Sequence, residues 1–306
     1  MIRLDDVNGS QICYETDPGI HISEYYAYCL KLIKNKLLEV HNPINIIFGN
    51  LDATFNNSSK ILKMDIQYEH TLVKEGGRDV GTKFFSNTPT DDGELYLVRI
   101  DRFDYFNSLD VILEYSIPNI VNISESGHFD EFSKKLINIA PLIYTPKFNN
   151  ENKNNTITLF TPHRCPRRSE FYNNVRAKGI DCTNVDGCFT SLDIMSRYET
   201  TKILVNVHQT DHHHTFEELR VLPALSRGVI VISEDVPLKE NIPYGEHIVW
   251  ADYDNLCDTI IDVQNNYEEY YKKIFNNGLT TLLSSLEVSN NRNLDILKNK
   301  AAERDD

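Results

Sequence analysis

A chain of 306 residues is long enough to fold as two domains of ordinary size, each with its own core. Its 45 acidic and 31 basic side chains leave a formal charge of −14, the wrong sign for a surface that neutralises phosphates along a duplex, so nucleic acid is not expected as a partner. With 41% hydrophobic and 25% charged residues it has the composition of a globular protein, which excludes collagenous, disordered and membrane-embedded classes.

Apolar residues from Tyr25 to Leu38 recur at helical spacing and predict an amphipathic helix over Ser23 to Val40. The first clear strand is Ile44 to Phe48, an apolar run closed by Gly49-Asn50. Short strands are expected at Ile61 to Ile66, Leu95 to Ile100, Asp110 to Glu114, Ile120 to Ile123 and Ile137 to Ile139. Residues Phe148 to Asn155 hold one apolar side chain and no periodicity, which marks a linker between a first domain, 1–148, and a second, 155–285.

Beyond that boundary the pattern becomes regular. Strands are predicted at Thr156 to Phe160, Ile180 to Thr183, Lys202 to Val207, Val229 to Ser233 and Ile248 to Trp250. Helices are predicted at Arg168 to Lys178, Ser191 to Thr200, Phe216 to Ser226 and Tyr253 to Tyr271. Alternation of this kind specifies a parallel sheet covered on both faces, with ligands at the carboxyl ends of the strands. The remainder, 286–306, reads as a polar tail that either packs as a helix or frays.

The densest chemistry lies between Val207 and Glu218, where His208, His212, His213 and His214 separate an apolar strand from a helix. Thr215 followed three residues later by Glu218 is the pattern of a capping box, and a helix start at a strand end favours an anion. Gly228 is placed to end that helix in the left-handed conformation, and Pro223 to kink it. In the earlier loop Thr161 to Arg168, Arg164, Arg167 and Arg168 crowd another strand-to-helix turn, where guanidinium groups suit phosphate oxygens. In the first domain Glu69, His70 and His128 are candidates for a general base, within or near loops that carry Gly76-Gly77 and Gly127.

The segment Lys202 to Pro237, with Lys-Ile-Leu-Val-Asn-Val-His and then Thr-Phe-Glu-Glu-Leu-Arg-Val-Leu-Pro-Ala-Leu-Ser-Arg-Gly-Val-Ile-Val-Ile-Ser-Glu, resembles the donor-binding half of GT-B-type glycosyltransferases (glycosyl transferases group 1, exostosin-like segments). The resemblance covers about residues 155 to 260. It implies an α/β fold of two Rossmann-like lobes with a cleft between them, and transfer of a sugar from a nucleoside-diphosphate sugar to a hydroxyl acceptor such as a saccharide. It places the donor around His163, Arg164, Arg168, His208, His213, His214, Thr215, Phe216, Glu218 and Arg220, with Arg220 matching an arginine eight before the glycine. It implies no metal or other cofactor, because cationic side chains and helix ends stabilise a leaving diphosphate. Two glutamates eight apart, expected of retaining enzymes, are replaced here by Thr215 and Pro223, so the stereochemical outcome stays open.

Two other readings stand beside it: a metal-dependent hydrolase using the His208 to His214 cluster, and a noncatalytic nucleotide- or sugar-binding module. No run approaches the ~18 apolar residues of a membrane helix, and Asp5, Asp6, Glu15 and Asp17 interrupt what would be a signal peptide. The six cysteines show no C-x-x-C spacing. Both features predict a cytoplasmic protein with reduced thiols.

Overall fold

Asn8 and Gly9 both have positive φ, 53° and 81°, and fold the start of the chain into a hairpin of β1 (Ile2–Val7) and β2 (Ser10–Glu15). This hairpin precedes the first strand expected from the sequence, and its two-residue Asn-Gly turn is the type that matches strand twist. The computed structural model of the protein describes residues 1–17, 19, 22–75, 82–85, 96–159, 165–186 and 191–303, without the side chains of 82–85 and 191–192.

After the hairpin come α1 (Ser23–Leu37), β3 (Asn45–Phe48), β4 (Ile61–Gln67), β5 (Leu72–Val73), β6 (Thr82–Phe85), β7 (Leu97–Ile100) and α2 (Phe103–Asn107). Then follow β8 (Val111–Glu114), α3 (Ile117–Glu125), α4 (Asp130–Ser133) and β9 (Leu136–Asn138). Strands β1-β2-β3-β4-β8-β9 form one sheet, parallel from β2 onward, while β5-β7-β6 form a small antiparallel sheet. The expected strand at Ile120 to Ile123 is instead part of α3. Pro118 in the first helical turn and an extended Ser116 before it start a helix there, and the apolar run packs one face inward.

The second half holds β10 (Asn155–Thr158), α5 (Pro166–Ala177), β11 (Thr183–Asn184), α6 (Ser191–Thr200), β12 (Thr201–Asn206), α7 (Glu218–Ser226), β13 (Ile230–Glu234) and β14 (Val249–Ala251). Their sheet, in the order β11-β10-β12-β13-β14, is parallel throughout. The protein is thus α/β, with two largely parallel sheets, each covered by helices. Each sheet has its own apolar core, one around Ile46, Met64 and Leu113, the other around Leu204, Val231 and Leu222.

The helix expected over Tyr253 to Tyr271 is broken. A 3-10 turn (Tyr253–Asn255) leads into α8 (Leu256–Asn265), and α9 (Tyr267–Phe275) restarts after Asn266. The segment read as a polar tail is ordered into α10 (Leu279–Asn293) and α11 (Ile296–Ala302). Leu283 and Leu286 of α10 pack in the second core, whereas Leu294 and Leu297 complete the first. Asn290 clamps the connection between the sheets: its side chain accepts the Ala140 amide and donates to the Ala140 carbonyl, both at 2.8 Å.

The stretch read as a linker is also anchored. Buried Lys153 donates to the carbonyls of Tyr198, Thr201 and Arg227 at 2.6, 3.1 and 3.0 Å. Gly228, at φ +70°, lets the end of α7 pass within van der Waals distance of Phe148 and Asn149. Among the described residues no helix is long and apolar enough to cross a membrane, and the described cysteines form no disulfide.

Candidate functional site

A cavity of about 300 Å³ opens between residues of both halves of the chain, several of them just past the carboxyl ends of strands, Tyr68 after β4 and Leu159 after β10. Tyr25 of α1 and Tyr68, just after β4, form one wall; Tyr198, Glu217, Leu219 and Arg220 form the other. Tyrosine and aliphatic side chains make most of this lining, with two carboxylates, Glu24 and Glu217, and the guanidinium of Arg220 set into it. Such a mixture suits a ligand with both ring faces and polar edges.

The polar groups in that wall are held from behind. Arg220 donates to Asn206 Oδ1 at 2.9 Å, and its Nη2 lies 4.0 Å from Glu217. Arg168, one turn into α5, is only 6% exposed and donates twice to the Val207 carbonyl, at 3.1 and 2.9 Å. Burial, followed by the like charge of Arg220, pulls Arg168 down to about 10. Glu217 meets this paired positive charge. Burial would raise its carboxyl, but Arg220, His70 and Arg168 outweigh that effect and hold it below the usual range.

His70 reaches Glu217 from the first half of the chain, with Nε2 3.5 Å from Oε1. Its ring stacks on His213 at 5.0 Å. Burial keeps His70 below its ordinary value despite Glu217 and Glu69, so the imidazole is neutral at physiological pH. Glu69 itself is partly exposed and lies 3.9 Å from Arg99, which also donates to the His70 carbonyl.

The histidine loop is a seam rather than an open turn. Val73 of β5 pairs with His213, the Lys74 amide donates to the His212 carbonyl at 2.7 Å, and the His214 amide to the Leu72 carbonyl at 3.0 Å. Thr215 does not cap α7 as its spacing with Glu218 predicts. Its hydroxyl accepts the Thr71 and Leu72 amides at 3.0 and 3.1 Å and donates to Asn119, so contacts across the seam displace the local cap. The helix starts at Glu218, and Glu217 holds the N-cap position without a side-chain capping bond.

The histidines of the loop divide between two ring contacts, His213 with His70 and His214 with His208. His208 is buried beside Glu234, its amide donating to Oε2 at 3.0 Å, and its ring meets His214 edge-on at 5.1 Å. Burial drives His208 well below the ordinary range. Among the described residues no group of three or more His, Cys, Asp or Glu side chains could hold a metal ion. Arg167, which the sequence groups with Arg168, is occupied by Glu234 through both terminal nitrogens and by Asp211 through Nε. A carboxylate pair already fills the role read for a phosphate there.

Of the residues singled out in the sequence, Arg168, Arg220 and His70 are brought together around Glu217. Glu217 stands next to Glu218, the glutamate that the capping pattern picks out. His213 and His214 flank the seam, Phe216 packs in the second core against Trp250 at 5.0 Å, and Glu218 is sealed beneath the cleft wall. His128 lies elsewhere, in a shallow cavity with Phe103 and Phe132. His163 and Arg164 fall outside the described residues, as do Gly76 and Gly77.

No family model matches the chain. Over 196 residues it is 26% identical to an uncharacterized protein of Acanthamoeba polyphaga mimivirus. The match covers 60% of this chain and 66% of that protein, so the chain spans slightly under two-thirds of the relative's length.

Proposed function

We propose that the protein is a GT-B-type glycosyltransferase that moves a sugar from a nucleoside-diphosphate donor to a hydroxyl acceptor in the cleft between its two sheets. The observation that carries this reading is the pairing of Glu217 with Arg220 in the cleft wall, backed by Arg168 and His70. The resemblance of residues 202–237 to a donor-binding segment supports it, since Arg220 is the residue that matches.

In this reading Arg220 binds the donor diphosphate and offsets the charge that grows on it as the glycosidic bond breaks, with Arg168 holding the end of β12 behind it. Glu217, ionised and aimed into the cleft, accepts a hydroxyl proton or hydrogen bond. His70, neutral and 3.5 Å behind Glu217, takes up the developing positive character when a proton arrives. Tyr68, less buried than Tyr25 and Tyr198 beside it in the lining, supplies a flat apolar face for sugar or base. Neither a metal nor another cofactor is needed for these roles.

Titrating a panel of nucleoside diphosphates and their sugars by calorimetry tests the reading. Binding of at least one member is expected, with loss of affinity in Arg220→Ala, followed by release of nucleoside diphosphate when acceptor saccharides are added. Absence of binding across the panel would overturn it.

A further inference from the structure

Behind the cleft wall two carboxyls, one from each half of the chain, are buried on either side of Ser116, the residue that opens α3. Glu114 ends β8 and is 0% exposed; Glu218 opens α7 and is 2% exposed. Glu114 Oε1 accepts the Ser116 amide at 3.0 Å and the Asn119 side-chain amide at 3.2 Å. Glu218 Oε2 accepts the Tyr244 hydroxyl at 2.5 Å. Asn119 ties the two sides together, because its Oδ1 accepts the Thr215 hydroxyl at 3.1 Å.

Each carboxyl retains one buried oxygen outside any well-formed hydrogen bond, Oε2 of Glu114 and Oε1 of Glu218, and the Ser116 hydroxyl close to Glu218 is in the same position. Among the described residues neither forms an ion pair. The titratable groups around them are the phenols of Tyr25, Tyr115 and Tyr244, which are neutral at any physiological pH. The carboxylate next outward, Glu217, is compensated by Arg220 and Arg168, and Glu69 also bears on Tyr115. An ionised carboxylate with an unpaired oxygen in such a place is heavily penalised, whereas a neutral carboxyl is not and gains an O–H to donate. Burial accordingly pushes Glu218 up to about 7 and drives Glu114 well above the carboxylate range, the neighbouring Glu218 adding to the rise.

We propose that Glu114 and Glu218 form a proton-holding positioning pair: neutral, they seal the first turn of α7 against α3, and ionised, they repel each other and release that turn. Glu217 and Arg220 sit on the same turn, so the protons on a buried pair set the alignment of the cleft wall. The effect on the cleft rests on the function proposed above; the proton-holding does not.

Two measurements on the whole chain test this. Infrared spectra of the wild type at about pH 6 should show the carbonyl stretch of a protonated carboxyl, weakened in Glu114→Gln and in Glu218→Gln, each of which keeps its accepting oxygen. A wild-type spectrum with ionised carboxylates alone overturns the pair. Between about pH 5 and about pH 8 the wild-type melting temperature should fall relative to that of Glu218→Gln, because the unfolded chain ionises where the folded one does not. Over the same window, exchange of α3 and α7 amides, corrected for its intrinsic pH dependence, should quicken by up to about a hundredfold more in the wild type than in Glu218→Gln, as a shift of about two units requires. A melting difference that stays constant with pH, or exchange that runs parallel in both proteins, also overturns it. Calorimetry on the same samples keeps the readings apart: no nucleotide binding with the proton signals intact removes the transferase and leaves the pair standing.

Discussion

The Glu217 carboxylate and the His70 imidazole approach to 3.5 Å although 147 positions separate them and each belongs to a different half of the fold. Removing the charge while keeping the shape isolates what that contact does. In Glu217→Gln the imidazole loses the group that favours its protonated form, so the His70 pKa, already below its ordinary value through burial, should drop further. An NMR titration of the His70 ring protons reads this directly. On the proposed function, kcat/KM falls at least tenfold, about 1.4 kcal/mol, in the same variant.

Arg168 and Arg220 look alike in the sequence and should fail differently. Arg220→Ala should weaken nucleoside-diphosphate binding by about 1.5–3 kcal/mol, the range of a charged hydrogen bond, and should also lower the melting temperature, because buried Asn206 Oδ1 loses its guanidinium donor. Arg168→Ala deprives the buried Val207 carbonyl of both its guanidinium donors. Its main effect should be a stability loss of about 1–3 kcal/mol, read by denaturant unfolding.

At Gly228 a methyl group would meet the Phe148 Cα at 3.2 Å and the Asn149 nitrogen at 3.1 Å, on a backbone with φ of +70°. Gly228→Ala should therefore lose about 1–3 kcal/mol. Gly179, at φ +66° with nothing within 4 Å of its missing Cβ, is the control. Alanine there bears the backbone term alone and should lose less in the same melts.

Lys153→Met keeps most of the aliphatic stem and removes the ammonium that three carbonyls share. A loss of about 3 kcal/mol or more is expected, because several buried acceptors are left unmet at once. The segment 148–155 should also become a site of proteolytic cleavage, detectable by limited digestion.

Much of the second sheet was legible because buried parallel strands are nearly continuous apolar runs; Lys202 to Val207 was expected and Thr201–Asn206 is found. The first hairpin escaped notice because Asp5 and Asp6 break the apolar pattern of an edge strand, although Asn8-Gly9 carried the turn signal openly. In the site, the Thr215 and Glu218 spacing points to Glu218, whereas the glutamate that lines the cavity is Glu217. Helical period would have separated the pair: Glu218 is in step with the buried Val221, Leu222 and Leu225, whereas Glu217 is three residues before Arg220 on the face that meets the cleft. What no local pattern contained was Thr71. Its amide, 144 positions from Thr215, takes the hydroxyl that the capping pattern reserves for α7.

The return of the last helices to the first core has a consequence for synthesis. Lys36 and Asp295 join across 259 positions, and Leu294 and Leu297 fill space among side chains made near the start. On the ribosome the first sheet therefore waits, with an apolar face uncovered, until Leu294 and Leu297 have emerged. Domains that complete themselves early can fold in the order they are made. Here the earliest strands are among the last to be finished, and a stalled or shortened chain would present their unfilled core to whatever chaperone or neighbouring chain reached it first.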